Sequence, residues 1–284
     1  MANKQDSSRV NLYVLVIGLI AALTLFGVPA ARPPLIHLLI AALLFAVITV
    51  AAWRIGGRAI MSASEERQGI AVSGWLLITP IVMFALLPGF GPPWEATHAE
   101  NAVRYTVLLL GAVAIGGGFI MLRRGLSEAG DQFHSSVGFA AIILATTPYV
   151  VFAGIQLYLS YAVNRTASAS GLPHMVSLDE MSTMLLFAGV LLTYLATSAF
   201  TISLGEVHWI GGGARKAVAG TSLLFALCVG VKFGTVLARP HDPIWVPGPW
   251  YSAPGFILSI PAVPWLIPVA LGVLLLRRAG RELV

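Results

Sequence analysis

The chain has 284 residues, 57% of them hydrophobic and 10% charged, with a mean hydropathy of +0.86 and a formal net charge of +5. A soluble domain carries roughly 25% charged residues, and a chain this apolar has too little polar surface to cover itself, so hydrocarbon is the expected solvent. The basic balance does not point to nucleic acid: no RNA- or DNA-binding motif is present, and the cations sit in short clusters between apolar runs.

Eight apolar runs follow one another, at about 10–28, 35–53, 70–87, 105–122, 137–161, 184–204, 217–238 and 256–276. Each is near the ~20 residues an α-helix needs to cross a bilayer. The first is preceded by Lys4 and Arg9 and followed by Val28-Pro29-Ala30. That outline suits a signal peptide, but we read it as a retained first helix. The expected fold is all-α: a polytopic membrane helix bundle of about eight transmembrane helices, forming a single integral membrane domain over 1–284.

Lysine and arginine orient the stack. One side receives Lys4 and Arg9, then Arg54, Arg58 and Arg67, then Arg123 and Arg124, then Arg215 and Lys216, then Arg277, Arg278 and Arg281. The other receives Arg32, Arg104, Arg165 and Arg239. This bias of about three to one places both termini and the basic side in the cytoplasm, under the positive-inside rule, with the inner (plasma) membrane as the expected location. Trp53, Trp75 and Trp209 fall near the basic interface, and Trp94, Trp245 and Trp250 near the opposite one, the level that indole rings favour. Trp265 is the exception, inside the last run.

The loops are short, without linkers or low-complexity tracts. Gly89-Phe-Gly-Pro-Pro-Trp94 and Pro247-Gly-Pro-Trp250 share a flavour. They make a parallel four-plus-four repeat conceivable. In the last run, Pro261, Pro264 and Pro268 cannot all sit in an unbroken helix, because each removes a hydrogen bond and crowds the preceding turn. A broken last helix is therefore expected.

Lys232 is the one cation inside a span. Intramembrane ionisable groups are functional candidates by default, although four methylenes could also lift the ammonium to the headgroups. Thr221, Cys228, Lys232 and Thr235 recur at helical spacing on one face of span seven, and Gly230 and Gly234 form a GxxxG beside it. Span five carries Tyr149, Gln156 and Ser160 on one face. Span six carries Thr193, Thr197 and Thr201, with Tyr194 and Ser198 adjacent. If these faces converge, Lys232, Gln156, Thr193, Thr197 and Tyr149 surround a polar cavity, with Thr79 beside Pro80 in span three as a further contributor. Against this stands helix–helix hydrogen bonding, which needs no ligand.

The histidines form no recognisable site. His98, His174 and His241 are expected in loops opposite the basic side, near Glu95, Glu100, Asp179, Glu180 and Asp242, but no HxH, HxxxH or HExxH spacing supports a metal. His134 and His208 are expected on the basic side, solvated, with Glu206 beside His208 either as an interfacial cap, the favoured reading, or as half of an acid–base pair. No Asp or Glu falls inside any span as read here, which removes the counter-ion a retinal Schiff base on Lys232 requires. The lone Cys228 allows neither an intrachain disulfide nor a cysteine metal motif. Haem, nucleotide and prenyl-diphosphate chemistry have no visible carrier, and no catalytic residue, metal ligand or cofactor is assigned.

The functional expectation is a small-solute permeation protein that favours an anion held by Lys232, Gln156 and Thr193, with Arg104, Arg165 and Arg239 at the outer rim. The alternatives are an accessory or scaffold subunit contacting other membrane subunits, and a membrane enzyme or redox subunit acting at the outer face.

Overall fold

The computed structural model describes residues 2–25, 34–62, 64–85, 87, 96–162, 172–238 and 262–281. These form eight α-helices: α1 (Ala2–Leu25), α2 (Pro34–Ile55), α3 (Glu65–Phe84), α4 (His98–Glu128), α5 (Phe133–Ala162), α6 (Leu172–Glu206), α7 (Gly212–Leu237) and α8 (Ala262–Arg281), with a 3-10 turn at Gly57–Met61. There is one helix for each apolar run. Six of them, α2 to α7, are long and apolar enough among the described residues to cross a membrane, and α1 holds a shorter apolar stretch over Val10–Ala21. The chain is a multi-pass membrane protein built as a helix bundle. The two Gly-Pro-Trp loops, Trp94, Arg32, Arg165, Arg239, Glu95, His241, Asp242 and residues 256–261 of the expected last span lie outside the described residues.

Most helices overrun the apolar runs that mark them. Polar residues suit helix ends, where unpaired backbone groups and the macrodipole favour them. Glu65 and Glu66 occupy the first turn of α3, while Arg54 and Arg278 with Arg281 occupy the last turns of α2 and α8. At the start of α4, Thr97 and Glu100 form a capping box. The Thr97 amide donates to Glu100 Oε2 at 2.7 Å, and the Glu100 amide donates to Thr97 Oγ1 at 3.3 Å. His98 is thereby the first residue of α4 and not a loop residue.

The prolines are absorbed as follows. Within the last helix, which begins at Ala262, Pro264 falls in the first turn, where no intrahelical N–H bond is lost, and Pro268 lies in the interior. Pro80 of α3 and Pro148 of α5 are each preceded by threonine. Thr79 donates to the Trp75 carbonyl at 2.8 Å and Thr147 to that of Ile143 at 3.3 Å, so both hydroxyls are satisfied in the turn that proline weakens.

The chain divides into two compact units, residues 1–125 with 268–284, and residues 126–267. In the first, glycine is required for space. A Cβ on Gly56, just past α2, would lie 1.7 Å from the Leu276 carbonyl oxygen of α8, and one on Gly280 would lie 2.0 Å from that of Ile55. Backbone meets backbone here, so no side-chain rotamer can relieve the clash. In the second unit α5 packs antiparallel to α6, with Gly138 against the Phe200 ring, and α6 packs on α7 through Phe187–Phe233 and Tyr194–Phe225.

Gly280→Ala is expected to lower the thermal unfolding midpoint in detergent, because forced overpacking costs about 1–3 kcal/mol. Gly69→Ala, where an added Cβ meets nothing within 4 Å, should match or exceed the parent. Equal melting of Gly280→Ala and the parent would remove the close α2–α8 approach.

Candidate functional site

The second unit is organised on α6, whose 35 residues span about 52 Å at the helical rise, against a hydrocarbon thickness of about 30 Å. Its ends therefore leave the hydrocarbon and tolerate charge. Between them runs a line of hydroxyls. Thr193, Thr197 and Thr201 are all fully buried, and each donates to the carbonyl four residues back, at 2.8, 2.7 and 2.6 Å. These hydroxyls satisfy themselves within the helix, so their burial requires no ligand.

Two of the expected residues meet across α5 and α6. The Tyr149 hydroxyl lies 3.4 Å from Thr193 Oγ1, and the threonine proton is already directed to Gly189, so the tyrosine is the donor. The Tyr149 ring packs edge-on to Trp265 at 5.5 Å. This contact accounts for the one tryptophan that fell at no interface: Trp265 is 1% exposed and serves as core. Thr197 lies one turn further along the same buried face, with Ser198 also buried and Tyr194 turned to Phe225 of α7.

Gln156 has a different partner from the one expected. Its Nε2 donates to Asp179 Oδ1 at 2.6 Å and to Ser182 Oγ at 2.9 Å, while the Ser182 hydroxyl donates to the Asp179 carbonyl at 2.8 Å. Asp179 and Glu180 are thus inside α6 and not in a loop, which corrects the reading that no span-forming helix carries a carboxylate. The helix starts at Leu172, three turns before the apolar run, and Gln156 gives the half-buried Asp179 carboxylate a hydrogen bond there, while Ser182 bonds the Asp179 carbonyl and accepts from the same Gln156 amide. A Gln and an Asp separated by 23 residues carry no pairing signal in the sequence. Only the continuing apolar positions Leu172, Met175 and Val176 hint that the helix extends that far.

Lys232 is 7% exposed, and its ammonium sits 5.3 Å from the centroid of the Phe187 ring of α6. Phe187 in turn stacks on Phe233 at 5.8 Å. The lysine is turned into the protein, over an aromatic face that attracts a cation. Along α6 its contact falls between the Gln156 level at Ser182 and the Tyr149 level at Thr193. The buried face of α7 runs through Ser222, Ala226, Val229 and Lys232, while Thr221 is exposed. The polar stripe expected through Thr221 is therefore rotated by one residue, and Ser222 donates to the Val218 carbonyl at 2.8 Å.

The remaining expected residues have partners of their own. Thr79 belongs to the first unit and is satisfied by Trp75. Arg104 is 3% exposed, with its guanidinium bonded to Asn101 one turn earlier, so it is no exposed rim cation. Glu206 does not pair with His208. It meets His134 of α5, Nδ1 to Oε2 at 3.0 Å, while His208 takes a left-handed backbone (φ 57) in the turn that reverses the chain after α6. No protein-family model matches the chain, and neither does any curated protein or solved structure.

The α5–α6 clamp yields a direct measurement. In a double-mutant cycle of Gln156→Leu and Asp179→Leu, followed by unfolding in detergent or bicelles, the coupling should be about 1 kcal/mol, within the range for interhelical hydrogen bonds in membranes. Strict additivity would show that the two side chains do not meet.

Proposed function

We propose that the chain is a small-solute permeation protein of the inner membrane, with its basic side cytoplasmic and a polar seam along α5, α6 and α7 as its binding region. The carrying observation is Lys232, a cation 7% exposed on an apolar helix. Holding a charge at bilayer depth costs on the order of 3 kcal/mol on insertion scales, a cost that a purely structural position avoids by using an apolar residue. The contact with Phe187 offsets part of that cost and holds the ammonium in place. Tyr149, Thr193, Thr197 and Gln156 lie on the buried faces flanking it. A single positive charge among hydroxyls and an amide suits a small anion or a carboxylate-bearing solute, with Lys232 as the charge partner; Tyr149 and Gln156 would donate to it by giving up their present partners, Thr193 and Asp179.

A second reading, an accessory subunit of a larger membrane complex, draws on α7. Within its unit nothing approaches Gly230 or Gly234, and Leu223, Leu224, Leu227 and Val231 are exposed. A GxxxG face of this kind accommodates a partner helix at close range. Native mass measurement in mild detergent separates the two readings: the permeation protein runs as copies of this chain alone, whereas the subunit co-purifies with other polypeptides.

The test of the first reading is uptake into proteoliposomes of small inorganic anions and monocarboxylates. Lys232→Met should reduce anion uptake at least tenfold, and Lys232→Arg should retain a measurable part of it. Unchanged uptake in Lys232→Met would exclude the lysine from the pathway, and no uptake by the parent would exclude the reading.

A further inference from the structure

The basic ends of α5 and α6 carry a second cluster that the seam does not use. Asp131, His134 and Glu206 bring one imidazole nitrogen and two carboxylate oxygens within 4.8 Å of one another. His134 Nδ1 lies 3.0 Å from Glu206 Oε2 and 3.9 Å from Asp131 Oδ1. We propose that these three residues form a binding site for a divalent first-row transition metal ion, of the kind represented by Zn²⁺, that ties the start of α5 to the end of α6.

The donor set is that of a borderline ion: a neutral imidazole and two carboxylates, which supply three protein ligands and leave a fourth position to water. Metal–ligand bonds of about 2.0–2.2 Å in a tetrahedron put neighbouring ligand atoms about 3.3 Å apart. The observed separations bracket that value. Closing them requires the His134 ring to approach Asp131 and Glu206 to follow, and these side chains are 32% and 43% exposed, so rotamer changes suffice. Exposure of His134 and Glu206 also leaves the site open to ions in solution.

Asp131 is held in advance. The Ser135 and His134 amides donate to its two oxygens at 2.9 and 3.2 Å, capping the start of α5. Each of its two oxygens accepts one amide hydrogen, which leaves lone pairs over for an ion.

Two further features of the site suit a cation. Ser203 is fully buried and faces the Asp131 carboxyl, the place of an outer-shell group that steadies a ligand carboxylate. Glu206, for its part, is the last residue of α6, at the negative end of the helix dipole, where a carboxylate is disfavoured unless a cation sits beside it. Arg215 packs over the neighbouring Gly205 with its Cδ, Cγ and Nε atoms, so this helix end already has one cation nearby and the metal ion would add a second.

The test is calorimetric titration of Zn²⁺ into the full chain, purified in detergent and stripped with EDTA. One saturable equivalent is expected. His134→Gln and Glu206→Gln should each weaken it at least tenfold, and His208→Gln should leave it unchanged. Both substituted side chains are partly exposed, and parental melting temperatures should confirm folding. A second readout needs no variant: histidine acylation of the parent, mapped by mass spectrometry, should show Zn²⁺ protecting His134 and not His208. The absence of a saturable site, parental affinity in both His134→Gln and Glu206→Gln, or protection confined to other histidines would each overturn the proposal.

Discussion

Hydrocarbon offers no hydrogen bonds, so each polar group this chain carries into the membrane must find its partner within the chain. The helices meet that demand for the backbone. The same demand explains how side chains are used inside the second unit, where Thr193, Thr197, Thr201, Ser160 and Ser222 all return their protons to their own helix. What remains for contacts between helices is a small set: Tyr149 with Thr193, Gln156 with Asp179 and Ser182, and the Lys232 ammonium on Phe187. These are interactions that position the proposed binding region, because they fix α5, α6 and α7 in register by polar chemistry and not by apolar packing.

Charge follows the same logic at the ends. Carboxylates and cations collect where helices leave the hydrocarbon, on the dipole end that suits them: Glu65, Glu66 and Glu100 at helix starts, Arg54, Arg278 and Arg281 at helix ends. Glu128 at the end of α4, Arg215 and Lys216 near the start of α7, and Glu206 at the end of α6 depart from that pattern, and Glu206 is the residue that meets His134. Asp179 sits well inside its helix, and it is the residue that meets Gln156. In both places a carboxylate in an unfavourable setting is held by a specific partner on α5, so the antiparallel α5–α6 pair is fastened near each end.

Much of the fold could be read from the amino-acid order because the hydrophobic run is a direct record of bilayer thickness, and eight runs correspond to eight helices. Helix ends were not legible in the same way. An apolar run marks where lipid is, and α4 and α6 continue past it on polar residues capped or paired locally, as Thr97 with Glu100 and Asp179 with Gln156. Faces were legible where one side of a helix is strongly buried. The stripes through Tyr149, Gln156 and Ser160, and through Thr193, Thr197 and Thr201, are the buried ones. On α7 the polar positions Thr221 and Ser222 are neighbours, about 100° apart, and spacing alone could not choose between them. The partners of Gln156 and of Glu206, 23 and 72 residues distant, are set by tertiary packing and leave no periodic trace.

The polar seam and the α5–α6 pairing require the chain to pass back and forth through lipid, so that alternate helix ends face opposite compartments. With Cys228 replaced by alanine, single cysteines at Ala99, Ala129, Ser177 and Gly211 can be labelled with a membrane-impermeant thiol reagent in sealed vesicles of known orientation. Cysteines at 129 and 211 should react from one side only, and those at 99 and 177 from the other. Labelling of 129 and 177 from the same side would contradict the bundle, and with it the polar seam and the α5–α6 pairing.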